Sequence, residues 1–107
     1  MPVREQRKTP RYDLKLPFEL IRTGSKHVGK LGETRNLSSG GVLFTTDADV
    51  HVGQPIEFVI TLQSSEEGAC VQLRCMGKVI RIERKHDSVK PPLIAATVER
   101  FEFMRTR

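Results

Sequence analysis

The amino-acid sequence predicts an all-β fold, a six-stranded antiparallel split barrel with a flexible N-terminal arm and a short C-terminal extension. Three observations lead there. Apolar and polar residues alternate through most of the readable segments, which is the period of a half-buried strand. Turn signals recur roughly every 8 to 15 residues, with no long helical period and no alternation of strands with helices. That pattern implies an antiparallel barrel or sandwich, and closing the barrel removes the exposed edges that a sandwich leaves. At 107 residues the chain has room for one domain, divided into an arm over residues 1–12 and a barrel over 13–107.

The first strand is read over Asp13 to Arg22, where Leu14, Leu16, Phe18 and Leu20 share one face and Lys15, Pro17, Glu19 and Ile21 the other. Pro17 lacks an N–H donor and therefore suggests an edge position or a bulge. After the Thr23-Gly24-Ser25 turn signal, a second strand runs from about His27 to Leu37, its pattern diluted by Gly29 and Gly32. Gly41 to Thr46 forms a short third strand, and Asp47 to Gln54 connects it to a fourth over Pro55 to Leu62, with Ile56, Phe58, Ile60 and Leu62 inward. Ser64 to Gly68 is a hairpin loop. Beyond it Val71, Leu73 and Cys75 share one parity and Ile80 and Ile82 the other, a phase change that a bulge at Gly77 explains. Lys85 to Pro92 is a loop. Leu93 to Val98 supplies the last strand, and Phe101 and Phe103 anchor a C-terminal extension that has a helix among its options.

Composition narrows the function classes. The longest uncharged, mostly apolar stretch is Phe58 to Ser65, far short of the ~20 apolar residues that span a bilayer. Met1 to Arg11 is polar throughout and lacks the apolar core of a secretory signal, so the expected location is the cytoplasm. Cys70 and Cys75 fall on opposite faces of one strand, about 16 Å apart at ~3.3 Å per residue, too far for a mutual disulfide. His27, His51 and His86 show no metal-ligand spacing with either cysteine, and no metal site is expected. No carboxylate pair or Ser-His-Asp set can be assembled by spacing, so no catalytic residues are assigned and no enzymatic activity is expected. The net charge of +5 favours an anionic partner. It is concentrated at the ends. Residues 1–15 set Arg4, Arg7, Lys8, Arg11 and Lys15 against Glu5 and Asp13, and residues 100–107 set three arginines against Glu102, leaving the middle neutral. The arm is thus either an anion clamp or a solvated tail.

Two motifs favour the clamp. Arg7-Lys8-Thr9-Pro10-Arg11 is an RxxxR element, of which chance alone predicts about one in a chain with this many arginines. Asn36-Leu37-Ser38-Ser39-Gly40-Gly41 fits [DN]xSxxG, expected by chance only about 0.02 times here, although Asn, Ser and Gly also suit a plain strand-connecting turn. Pro10 biases Thr9 to extended geometry and spaces Arg7 and Arg11 by up to about 13 Å. Asn36 and Ser38, two apart, share a face at a strand end. Gly40 and Gly41 permit either a positive φ in a tight turn or a close backbone approach.

Both motifs in this order, one predicted strand apart, resemble the PilZ family, the bacterial receptors for cyclic di-GMP. The resemblance covers nearly the whole chain, including GGVLF after the serine motif, CMGKVIRIE, and the IAATVERFEF ending. It implies that Arg7 and Arg11 bind phosphate and base, that Asn36 and Ser38 contact guanine, and that Gly41 supports the turn. The chemistry is compatible, because a guanidinium fork fits either a phosphate or the O6/N7 edge of guanine. Many members carry another arginine directly before RxxxR, where this chain has Gln6. With Arg4, Lys8 and Gly40 as auxiliary residues, the number of ligand molecules stays open. The resemblance implies a signalling receptor without a cofactor, whose arm is ordered by ligand and changes a surface for an unidentified downstream protein. Two alternatives compete: a PilZ-like interaction module that does not bind the ligand, and a small basic barrel for single-stranded nucleic acid. The latter needs aromatic stacking platforms, and the chain has no Trp and one Tyr.

Overall fold

The computed structural model describes residues 14–63, 70–84 and 90–106. They form seven strands and no helix: β1 (Pro17–Thr23), β2 (Lys26–Leu37), β3 (Gly41–Thr46), β4 (Pro55–Gln63), β5 (Cys70–Glu83), β6 (Leu93–Thr97) and β7 (Arg100–Thr106). Six of them close a barrel in the order β4, β1, β2, β3, β6, β5, with β5 pairing back onto β4, and every pairing is antiparallel. The seventh adds to β5.

The alternation read from the sequence is what fills this barrel. Phe18 and Leu20 of β1, Val42 and Phe44 of β3, Ile56, Phe58 and Ile60 of β4, and Ile94 and Ala96 of β6 are all buried. Phe18 stacks on Phe44 and Phe58 with ring centroids 4.2 and 5.2 Å apart, so three strands are held through one aromatic stack. Burial of each such ring is worth about 1.5 to 3 kcal/mol relative to exposure. The inward stripes end softly. Leu14 is exposed, and Leu16 and Leu62 are only half-buried against the core.

Three local expectations are corrected. Pro17 is not on an edge strand, since β1 pairs with β2 on one side and β4 on the other. It is the first residue of the strand, where the missing donor is tolerated, and the β1 bulge falls at Ile21 between the paired residues Leu20 and Arg22. Nor is Gly77 a bulge, because the β4–β5 ladder runs unbroken through it. A Cβ at Gly77 would collide with the Thr97 carbonyl oxygen, so glycine serves close approach of two backbones. The extra residue is Ile80, inserted between the pairs Val79↔Ala96 and Arg81↔Ala95 and left exposed. Val79 is buried and keeps the parity of Cys75, which carries the inward phase three positions further than the apolar pattern indicates.

The C-terminal extension is a strand rather than a helix. β6 and β7 lie end to end along β5, from Glu83↔Leu93 down to Cys70↔Thr106. At the break the Glu99 N–H donates to the Met76 carbonyl at 2.8 Å, and the Lys78 N–H donates to Thr97 Oγ1 at 2.9 Å. Phe101 and Phe103 pair with Cys75 and Leu73 and so carry the parity of the core, yet they are 52% and 64% exposed. Backbone pairing holds this segment, not burial of its rings. The two rings meet edge to face and wall an apolar groove of about 280 Å³ beside Leu37 and Ser38.

Candidate ligand-binding site

The serine motif sits where β2 passes into β3, and a bulge sets its geometry. Thr34 pairs with Phe44 and Asn36 with Leu43, so Arg35 is an inserted residue. Without it, the period of two would put Asn36 inward beside Thr34. With it, Asn36 shares the outer face with Leu43, while Leu37 returns to the inner face opposite the buried Val42. Asn36 is half-buried, and its amide makes no hydrogen bond to another described residue.

Ser38 follows directly and closes the turn. Its N–H donates to the Gly41 carbonyl at 2.9 Å, and its Oγ lies 3.4 Å from the same oxygen. The turn is fastened to the end of the neighbouring strand β6 by the Val98 N–H, which donates to the Gly40 carbonyl at 3.1 Å. Of the roles weighed for the glycines, positive φ applies to neither. A Cβ on Gly41 would stand 3.3 Å from the Ala96 carbonyl oxygen, so close approach is the reason for glycine there. Gly40 has nothing within 4 Å of where its Cβ would be and leaves open space beside Ser38.

The arm residues Arg4, Gln6, Arg7, Lys8 and Arg11 lie outside the described residues; the root of the arm does not. Thr34 is completely buried and clasps it: the Leu16 N–H donates to Thr34 Oγ1 at 2.9 Å, the Thr34 hydroxyl donates to the Leu14 carbonyl at 2.5 Å, and the Thr34 N–H donates to the Leu16 carbonyl at 3.0 Å. Arg11 is three residues upstream of Leu14, and three residues span at most about 11 Å of chain. Sequence patterning missed both Thr34 and Arg35. An inward threonine reads as an ordinary β-former, and a bulge in a strand with two glycines leaves no periodic trace.

Elsewhere the described residues hold no cluster of His, Cys, Asp and Glu able to bind a metal ion. Cys75 is a buried free thiol, and burial pushes its pKa up from 9.0 to about 12, which leaves no thiolate at neutral pH. On the outer wall Glu57 is buried beneath Arg22 and Arg74, with Arg74 Nε donating to its carboxylate at 2.7 Å. These two arginines are committed to a structural pair rather than open to a ligand.

The PilZ domain family profile matches residues 5–105. The chain belongs to the PilZ domain family. PilZ domains are regulatory receptors, and the serine motif of this PilZ domain lies at the junction of β2 and β3. Among solved structures, the Bacillus subtilis inhibitor of motility (MotI/DgrA) is similar at 19% identity with a TM-score of 0.67, over 92% of this chain and 44% of that one. At this identity the likeness establishes the fold, and the PilZ domain spans less than half the length of that protein. No curated protein sequence matches. No helix among the described residues is long and apolar enough to cross a membrane.

Proposed function

We propose that this PilZ domain binds cyclic di-GMP between its N-terminal arm and the serine turn, and signals by ordering the arm against the barrel. The observation that carries the reading is the Thr34 clasp, which roots the arginine arm on the same strand, two residues from the outward-turned Asn36. Arg7 and Arg11 bind the ligand's phosphates and a base edge, Asn36 and Ser38 read guanine, and Gly41 lets the turn lie close to β6. Arg4, Gln6, Lys8 and Gly40 line the approach. Residues 1–12 act as the arm and 13–107 as the barrel. The ordered arm presents a changed surface to a downstream protein, which requires neither a cofactor nor a catalytic step and suits a cytoplasmic messenger.

The arginine roles are tested by titration at two salt concentrations. Loss of a hydrogen bond to a charged group costs about 1.5 to 3 kcal/mol, so Arg7→Ala and Arg11→Ala should each weaken binding roughly 10- to 150-fold. Phosphate pairing predicts that the wild-type affinity falls as salt rises and that each substitution flattens this dependence. Wild-type affinity retained in the double variant would remove the clamp from the account.

A further inference from the structure

The β2 bulge has a second effect besides turning Asn36 outward. Arg35, the inserted residue, follows the inward-facing Thr34 and is itself exposed, so two consecutive side chains, Arg35 and Asn36, stand on the outer face. Arg35 makes no ion pair or hydrogen bond with another described residue, and this includes Glu33, two positions back on the same strand. Among the described residues, an outward guanidinium without a partner thus sits beside an amide whose hydrogen-bonding groups are also unused.

Their chemistry is complementary to one base. Guanine presents the acceptors O6 and N7 on one edge, which a guanidinium fork fits bidentately, and an N2 amino donor on the other side of the base. The Asn36 amide oxygen can accept from that second side while Arg35 donates to the first. An adenine in the same place would turn an amino donor toward Arg35 where guanine offers O6. We infer that Arg35 is a further ligand-binding arginine that reads the O6/N7 edge of the guanine held by Asn36, and that the bulge exists to present the pair together.

This assignment rests on cyclic di-GMP binding as proposed above, and its test separates the two. Calorimetric titrations are run on the wild type and Arg35→Ala with cyclic di-GMP and with its 7-deazaguanine analogue, in which N7 is replaced by carbon. A bidentate arginine–guanine contact is worth about 1 to 3 kcal/mol, so Arg35→Ala should weaken cyclic di-GMP binding about 5- to 150-fold. The wild type should bind the analogue more weakly than cyclic di-GMP, and in Arg35→Ala that difference should shrink, because one partner of N7 is already gone while any base-edge contact of Arg7 or Arg11 is untouched. Circular dichroism of the variants checks the fold. If the wild type binds cyclic di-GMP while Arg35→Ala keeps its affinity, or keeps its discrimination against the analogue undiminished, the assignment is wrong and the parent reading stands. If the wild type binds neither ligand, both fall.

Discussion

Thr34 contributes more than its size suggests, because its one hydroxyl serves both the Leu14 carbonyl and the Leu16 N–H. Thr34→Val preserves shape and leaves those two groups without their partner, at a cost of about 1 to 3 kcal/mol. Chemical denaturation should report that loss, and amide exchange should quicken for residues 14–16 while the β4–β5 ladder is unchanged. Unaltered exchange at Leu16 would mean that the backbone bond from Thr34 alone holds the arm root. Cys75 offers an independent check on the core. Its folded pKa is raised above the ordinary thiol value, so the native state holds this proton more tightly than the unfolded chain does between about pH 9 and pH 12. The thiol's contribution to stability is therefore fully present below about pH 9 and is lost as pH rises toward 12. In a Cys70→Ser background, alkylation of the remaining cysteine at pH 8 should proceed only as fast as the protein opens. Rapid labelling of the folded protein would contradict a sealed barrel.

Among the elements, β3 and β4 were legible almost to the residue, because Val42, Phe44, Ile56, Phe58 and Ile60 alternate without interruption. The second strand was legible in extent but not in its bulge, where inserting Arg35 changes the side on which Asn36 lies. Parity likewise placed the β5 irregularity at Gly77, since an apolar pattern records that a phase has changed and not which residue absorbs the change. β7 escaped for another reason. Phe101 and Phe103 look like core residues, but the strand runs on along β5 past the end of β3, so their rings wall an open groove with Leu37 and Ser38 instead of entering the closed core. The place of the serine motif was legible: Asn36, Ser38 and Gly41 fall where β2 passes into β3. The contribution of the root of the arm was not, because the contact of Leu14 and Leu16 with Thr34 spans 18 to 20 residues of sequence. Signalling by the arm belongs to this scale. On adding cyclic di-GMP, amides of residues 4–12 should gain protection from exchange while the barrel strands change little. Equal protection of these residues with and without ligand would place the switch in another element.

At the scale of the whole molecule, closure of six strands around the Phe18, Phe44 and Phe58 stack gives a rigid body on which one outer corner gathers the serine turn, the bulge and the root of the arm. The basic excess of the chain lies at its two ends, leaving the barrel itself near neutrality. An anionic ligand should thus be drawn to the arm rather than spread over the surface, which distinguishes a receptor from a nonspecific polyanion binder. The most direct measurement is an isothermal titration of the wild-type protein with cyclic di-GMP, repeated with single-stranded DNA of matched phosphate concentration. The account predicts saturable binding of the dinucleotide, with a stoichiometry that defines one molecule or a stacked pair, and only weak, nonsaturating heats with DNA. Absence of saturable heat with cyclic di-GMP, or tighter binding of the DNA, would contradict it.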